Sequence, residues 1–184
     1  MNKLELNVNG TVVLKSWQIT NASELFDLTI CNQEILKPWL PWVPKVKTIS
    51  DSKSFIKESL KEMKSNKGLE LGIWQNNKLI GCLGLHGLDL KNNRRASFGY
   101  WLDSKTHGKG IMTQCVKTLI NYSFTKLNLN RLEIEAATEN IKSYTIAKRL
   151  GFTQEGEIRE YEFVNGRFLN YYVFSLLQSE WVGN

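Results

Sequence analysis

The chain has 184 residues, of which 42% are hydrophobic and 23% charged, and its formal net charge is +6. These values fit one globular domain with a substantial core, and no apolar run reaches the roughly 18 residues of a membrane span. The three cysteines are widely spaced, without a C-x-x-C pair, which argues against a disulfide framework or a zinc site. The positive charge indicates an anionic partner.

The amino-terminal third predicts short strands and two helices. Residues 4–17 read as one or two strands around an Asn9-Gly10 turn, and a first helix follows. Residues 37–44 hold all three prolines and two tryptophans, so we expect a rigid aromatic loop that walls a substrate groove. A second helix follows Ser50-Asp51 and ends near Gly68.

The middle of the chain predicts an antiparallel meander and then a helical crossover. Three strand-like segments, 69–74, 78–88 and 95–102, are separated by asparagine-containing turns. The next helix has one apolar face, which comprises Met112, Cys115, Val116, Leu119, Ile120 and Phe124. Polar and apolar side chains alternate along residues 131–137, which predicts a strand. The long helix before it is long enough for a crossover connection, so we expect this strand to lie parallel to its neighbour in the sheet.

The last quarter predicts a short helix and a hairpin. The helix starts at Asn140 and is stopped by Gly151, and residues 155–177 form a hairpin that turns at Asn165-Gly166. There is no repeat, low-complexity tract or linker. Residues 1–184 therefore predict a single α/β domain with a mixed sheet.

A glycine-containing loop joins the third meander strand to the long helix. At a helix start the N–H groups lack intrahelical partners and the helix dipole is positive, so an anion binds there. Gly108 and Gly110 let a phosphate approach the backbone, and Lys105 and Lys109 add charge. The spacing matches neither the dinucleotide fingerprint nor the P-loop fingerprint.

The order of elements and several short motifs resemble the GNAT N-acetyltransferases over nearly the whole chain. The loop resembles their pyrophosphate loop, [Q/R]-x-x-G-x-[G/A], with Lys105 at the first position. The other motifs are Pro38-Trp39-Leu40-Pro41-Trp42, Gly99-Tyr100-Trp101-Leu102, Asn130-Arg131, Asn140-x-x-Ser143, Gly151-Phe152 and Val164-Asn165-Gly166. Together they resemble the Rim branch of ribosomal-protein N-terminal acetyltransferases, in particular the ribosomal-protein-serine type.

The resemblance implies acetyl-coenzyme A (acetyl-CoA) as co-substrate and no metal. Backbone amides at the helix start would hold its pyrophosphate, around a turn that His107 shapes. The residues concerned are Gly108, Lys109, Gly110, Ile111 and Met112. The strand that contains Tyr100, Trp101 and Leu102 would pair with the pantetheine arm, and one of its N–H groups would stabilise the oxyanion. Because Lys105 lacks a planar bidentate contact, we expect a modest effect on affinity.

Asn140 and Ser143 have two interpretations. Asn140 either caps its helix, with Ser143 in the first turn, or binds the pantetheine arm. In the resembling enzymes the serine hydroxyl contacts the coenzyme A sulfur. Ala147 stands where many GNAT proteins carry a tyrosine acid, so Ser143 is the candidate that stabilises the departing thiolate.

The resemblance places the general base at Glu162, which would take a proton from the attacking amine. Glu70 and Glu160 are rivals. Glu70 is expected on a strand edge near the groove, and Glu160 would share the strand face of Glu162 through the period of two. His86 either lines the amine pocket or is a core or loop histidine.

The acceptor implied by the resemblance is the α-amine of a ribosomal protein, and a basic enzyme suits an acidic one. Two alternatives stay open. One is the same chemistry on a polyamine, an aminoglycoside or a metabolite, and the other is a coenzyme A-binding module without turnover. We expect no direct nucleic-acid partner, and a homodimer is what relatives often show. The amino terminus lacks the apolar stretch of a signal peptide, which predicts a cytoplasmic protein.

Overall fold

Eight strands form one mixed sheet, and five α-helices accompany it, in the computed structural model, which describes residues 3–183. The strands are β1 Glu5–Asn7, β2 Val12–Ser16, β3 Leu69–Gln75, β4 Lys78–Asp89, β5 Arg95–Leu102, β6 Arg131–Ala137, β7 Thr153–Val164 and β8 Arg167–Leu177. The helices are α1 Ala22–Cys31, α2 Gln33–Leu36, α3 Ile49–Ser65, α4 Ile111–Thr125 and α5 Ile141–Arg149. The predicted α/β class is confirmed; the ends of the predicted 1–184 domain lie outside the described residues.

The sheet has the strand order β1-β2-β3-β4-β5-β6-β8-β7. Its neighbouring strands are antiparallel except for β5 and β6, which run parallel because α4 carries the chain back across the sheet. The meander of β3, β4 and β5, the parallel pair and the final hairpin are all as the sequence predicts. Residues 4–17 resolve into two strands, β1 and β2.

Helices cover both faces of the sheet. On the α4 face, the six predicted apolar residues of that helix are all buried and join a cluster that includes Leu83 and Phe98. On the opposite face, called the α1 face, Leu25 packs with Cys82 and Trp101. Since successive side chains of a strand alternate, residues 82 and 83 serve different layers. Within residues 3–183, no helix is long and apolar enough to cross a membrane.

Helix α3 differs at both ends from the sequence prediction. It starts at Ile49, because Thr48 and Asp51 form a capping box in which Asp51 Oδ2 accepts from the Thr48 N–H at 2.8 Å. Hydrogen bonds from the backbone N–H groups of Lys47 and Thr48 lower the pKa of Asp51. The helix ends at Ser65 and not near Gly68, and its C-cap residue Asn66 has a left-handed φ of 54°. Asparagine is one of the few residues that accept this conformation.

Arg131 joins the three strands at the far side of the sheet. Its guanidinium donates to both carboxylate oxygens of Glu155 on β7, at 2.8 and 2.5 Å, and to Glu133 on its own strand at 2.8 Å. Ser175 of β8 donates to Glu155 at 2.7 Å. These hydrogen bonds, Arg131 first, lower the pKa of Glu155 from 4.5 to about 2.

Replacement of Glu155 by Gln is therefore expected to destabilise the fold in a pH-dependent way. A lowered carboxylate pKa contributes stability above the unfolded-state value, and that contribution is lost as pH falls from about 4.5 towards 2. Since Glu155 is 41% exposed, solvent screening limits the loss at neutral pH to about 1 kcal/mol. Urea unfolding at pH 7, 5 and 3 measures the free energy of unfolding of both proteins. The difference between the variant and the wild type should become smaller as the pH falls to 3. The exposed Glu58→Gln variant is the control, and a pH-independent Glu155 effect would contradict the prediction.

Candidate active site

Strands β5 and β6 separate part of the way along their length. Their parallel pairing ends at Phe98↔Ile134, whereas β5 stays paired with β4 as far as Leu102 and β6 stays paired with β8 as far as Ala137. A wedge therefore opens between residues 99–102 and 135–137. Backbone N–H and C=O groups that point into it have no strand partner, so an extended ligand can pair with them as an added strand.

The loop at the top of the wedge leads into α4. Gly108 and Gly110 have φ values of +76° and +71°, a left-handed backbone that favours glycine. Gly110 is the N-cap residue of α4, and no side chain in the described part of the chain caps the helix. Such a helix start can bind an anion through its first-turn N–H groups, and the predicted anion site at this loop stays a prediction. Lys105 and Lys109 are both exposed on the same loop.

Other side chains of this region serve the fold. The His107 ring places Nε2 2.9 Å from the Leu102 carbonyl oxygen, which ties the turn back to β5. Ile111 and Met112 are 5% and 7% exposed, and their side chains pack into the core. A phosphate could therefore contact these two residues through their backbone N–H groups. Trp101 is also buried, on the α1 face, and can face the wedge only through its backbone.

Tyr100 and Ser143 meet on the α4 face of the wedge. The Tyr100 phenol donates to the Ser143 carbonyl oxygen at 3.1 Å, and the Ser143 hydroxyl lies 3.2 Å from the phenol oxygen. Burial raises the pKa of Tyr100 to about 12, although the hydrogen bond to Ser143 opposes this. Asn140 Oδ1 accepts from the Ser143 N–H at 3.2 Å, so Asn140 is an N-cap. Two hydroxyls therefore stand together at the start of α5.

Glu162 lies on the α1 face at the open end of the wedge. It accepts a 2.6 Å hydrogen bond from Tyr171, which is paired across the strands with Ala137 at the end of β6. Burial and this carboxylate raise the pKa of Tyr171. The Tyr161 ring centroid is 5.0 Å from that of Tyr171, and its hydroxyl donates to Glu135 at 3.0 Å. Glu162 is thus half-buried in an acidic and aromatic setting.

The loop of residues 37–44 closes this end of the wedge. Trp39 packs against a small cluster of Ala137, Val164, Leu169 and Tyr171. Asn165, in the β7–β8 turn, donates through its side chain to the Lys37 carbonyl oxygen. The hairpin tip and the aromatic loop therefore form one wall beside Glu162, where the sequence predicted a groove wall.

Glu160 does not share the strand face of Glu162 in the way its spacing predicts. A bulge between Ile158 and Glu162 interrupts the pairing of β7 with β8, and Glu160 has a φ of +49° within it. Its backbone N–H is held at 2.9 Å by the side chain of Asn170, while its own side chain is exposed. The bulge interrupts the two-residue alternation of side chains along β7, so Glu160, the alternative candidate for the general base, does not take the position that its spacing predicts.

Glu70 and His86 also depart from their expected settings. Glu70 lies on β3, inside the sheet and 8% exposed, and not on a strand edge. His86 lies on β4 with 54% of its side chain exposed, and its Nε2 is 3.0 Å from Glu70 Oε1. The hydrogen bond with Glu70 raises the pKa of His86 above 6.5. The sequence gives both residues as candidates but contains no signal that they form a pair.

Comparisons with known proteins agree with this geometry. The family described as "Acetyltransferase (GNAT) domain" matches residues 11–153. The chain belongs to the GNAT acetyltransferase family. A Bacillus subtilis (strain 168) protein named "Putative ribosomal N-acetyltransferase YdaF" is 34% identical over 177 residues, which are 96% of each chain.

Two solved GNAT structures have the same fold. RimL, a ribosomal L7/L12 alpha-N-protein acetyltransferase in complex with coenzyme A, superposes with a TM-score of 0.93 at 22% identity, over 96% of this chain and 99% of its own. The microcin C7 self-immunity acetyltransferase MccE, in complex with acetyl-CoA and AMP, gives a TM-score of 0.88 at 32% identity, over 92% and 94%.

As a GNAT N-acetyltransferase, the protein uses acetyl-CoA as its acetyl donor. The residues present fit this ligand, because the uncapped start of α4 suits a pyrophosphate and the wedge suits an extended pantetheine arm. No cluster of three His, Cys, Asp or Glu side chains that could hold a metal ion occurs among residues 3–183.

We expect Gly110→Ala to weaken coenzyme A binding about tenfold, because an alanine at positive φ costs on the order of 1–2 kcal/mol and the loop would relax away from its anion-binding shape. Calorimetric titration with coenzyme A measures the affinity. Gly151→Ala is the matched control, since Gly151 has a φ of +78°, an open surrounding and no place in the loop. Equal losses of affinity in both variants would contradict the assignment of the loop.

Proposed function

We propose that this acetyltransferase works in the cytoplasm and transfers acetyl to the N-terminal α-amine of a ribosomal protein. The observation that supports it most is the 34% identity, over 96% of both chains, to a relative named as a ribosomal N-acetyltransferase. The net charge of +6 suits an acidic protein partner at long range. The homodimer stays a prediction.

In the proposed mechanism the amine attacks the thioester directly in a ternary complex, with Glu162 as proton acceptor. Its supporting observation is the position of this carboxylate at the open end of the wedge, where Tyr171 holds one oxygen at 2.6 Å and no side chain among residues 3–183 donates to the other. A carboxylate also attracts an ammonium group before deprotonation. Wedge-facing N–H groups of residues 99–102 stabilise the oxyanion of the tetrahedral intermediate.

In this mechanism Ser143, together with Tyr100, stabilises the departing thiolate of coenzyme A. The position of the usual tyrosine acid is Ala147, which is fully buried and offers no polar group. The Ser143 hydroxyl and the Tyr100 phenol, 3.2 Å apart, are two proton-bearing groups that α5 and β5 bring together. The proposed role is hydrogen bonding to the sulfur, since a serine hydroxyl is a poor acid.

A second candidate acceptor is a small cationic amine such as a polyamine. The observation that favours it is the local charge near the wedge, where Glu135 and Glu162 stand beside the rings of Tyr161 and Tyr171. Carboxylates and aromatic faces are the groups that bind ammonium ions. The same surroundings also suit a single α-ammonium group on a peptide.

A competition experiment separates the two acceptors. The protein is incubated with acetyl-CoA, a ribosomal protein fraction and a pool of polyamines and aminoglycosides, and mass spectrometry identifies which molecules gain one acetyl group. We expect acetylation of a ribosomal protein N-terminus. Label on small amines alone would overturn the ribosomal acceptor, and no label on any amine would overturn the proposed transfer.

Replacement of Glu162 by Gln is expected to lower kcat about 100-fold, since a positioned base contributes roughly that much. The KM for acetyl-CoA should stay unchanged, because Glu162 lies away from the α4 loop. Steady-state kinetics with the acceptor identified above provide both constants. Glu160→Gln is the matched variant, displaced in the bulge, and should retain wild-type kcat. Equal kcat in the two variants would remove Glu162 from the mechanism.

A further inference from the structure

Helices cover only part of the α1 face of the sheet. The apolar cluster beneath α1 and α3 contains Trp74, Cys82 and Trp101 of β3, β4 and β5, and no residue of β6, β7 or β8. Near the wedge, Trp39 covers the ends of these last three strands. Further down, the apolar clusters of residues 3–183 do not extend over them, and Val173 of β8 belongs to none of the clusters.

Cross-strand pairing identifies the side chains of this uncovered region, called the open face. Val173 is paired with Glu135 on one side and with Gly156 on the other, and paired residues share a face. A Cβ placed on Gly156 would meet nothing within 4 Å, and Ile158 in the next row is 40% exposed. The open face comprises Glu133, Glu135, Gly156, Ile158, Tyr161 and Val173.

The open face continues the proposed acceptor site. Tyr171, whose hydroxyl donates to Glu162, is paired with both Ala137 and Ile158, so its row adjoins the open face. From the row of Ala137 to the row of Glu133 the strands rise about 13 Å, which is room for about four extended residues. A polypeptide whose α-amine lies at Glu162 can therefore place its next residues on this face.

The end of the open face next to the wedge is negatively charged. The Tyr161 hydroxyl donates to Glu135 at 3.0 Å, and burial, followed by the charges of Glu135 and Glu162, raises the pKa of Tyr161. Neither carboxylate forms an ion pair with a lysine or an arginine among residues 3–183. The α-ammonium group of an acceptor pairs with one of them, Glu162, so Glu135 is left for a second cation.

The far end of the open face already holds its own cations. Arg131 donates to Glu133 at 2.8 Å and to both oxygens of Glu155, and Arg95 is paired with Arg131 across β5 and β6. Two guanidinium groups therefore stand with two carboxylates at this end. The charges thus favour a second cation close to the reacting amine and not further along the peptide.

We propose that the open face binds the N-terminal segment of the acceptor polypeptide in an extended conformation, and that Glu135 selects a lysine or arginine at its second or third residue. This rests on the proposed function, in which the α-amine reacts at Glu162. Extended residues rise about 3.3 Å each, so a side chain at one of these positions lies one row beyond the amine, over Glu135. The exposed ring of Tyr161 offers an aromatic face to the same cation. Glu135 is thus a specificity-determining residue.

Peptide binding tests the selection of a cation without turnover. Calorimetric titrations with saturating coenzyme A use six-residue peptides that begin with serine and carry either lysine or uncharged norleucine at position two, or at position three. We expect the lysine peptide to bind about tenfold more tightly at one of the two positions, because only lysine forms a charge-assisted hydrogen bond. In Glu135→Gln this ratio should fall to about one. Glu157→Gln is the matched control, since Glu157 is paired with Tyr172 on the α4 face, and should keep the ratio.

Peptide length tests the docking of the chain. Lengthening the preferred lysine peptide from three to six residues should tighten its binding to the wild type about tenfold, and Gly156→Trp should lose most of this gain because the indole covers the open face. Gln154→Trp adds the same side chain to β7 on the α4 face, where Gln154 is paired with Phe174, and should keep the gain. Thermal unfolding checks that each variant is folded.

The outcomes separate this inference from the proposed function. A lysine peptide that binds no better than its norleucine partner at either position, or a preference that survives in Glu135→Gln, overturns the selection of a cation. An equal gain with length in Gly156→Trp and the wild type overturns the docking on the open face. If the lysine peptides bind as expected but gain no acetyl group, the docking surface stands and the proposed function fails. If they are acetylated without dependence on lysine or length, the proposed function stands and this inference fails.

Discussion

The separation of β5 from β6 beyond Phe98 is the constraint on which the site depends. A parallel pair that continued to Leu102 would satisfy its own backbone groups and leave nothing for a ligand to bind. The divergence is tolerated because each strand keeps its other neighbour, β4 on one side and β8 on the other. The helices α4 and α5 both start near this end, so the anion site and the two hydroxyls converge on one opening.

Breaks in strand register decide which side chains reach that opening. A two-residue turn at Asn76-Asn77 with regular pairing would set Glu70 opposite Leu83. The shift between Ile73 and Trp74 sets it opposite Gly84 instead, on the face of His86. In the same way, the bulge after Ile158 moves Glu160 aside and leaves Glu162 within reach of Tyr171.

These shifts also show how far the sequence could predict the structure. The strands, the apolar face of α4, the crossover and the asparagine turns follow from periodicity and turn chemistry, and each was predicted correctly. The glycine turn before α4 was predictable for the same reason, since strand, glycines and helix adjoin along the chain, and its role as a phosphate loop stays a prediction. The Glu70–His86 pair, the displacement of Glu160 and the Tyr171 partner of Glu162 depend on bulges, which carry no strong local signal. Trp101 illustrates another limit, because strand alternation does not say which layer a given aromatic fills.

The distribution of charge explains why a basic protein has an acidic site. The exposed lysines Lys105 and Lys109 stand at the start of α4, the proposed pyrophosphate site, whereas Glu135 and Glu162 lie on the α1 face beside the wedge. Glu70 lies on β3, two strands further along the sheet. A polyanionic donor and a cationic amine must meet at one carbonyl carbon, and each is attracted to its own face by charges of the opposite sign. The net charge of +6 therefore reflects the lysines of the outer surface, whereas the proposed acceptor site beside Glu135 and Glu162 is locally acidic. A partner can be acidic overall and still present an ammonium group, and a terminal α-amine on an acidic protein combines the two.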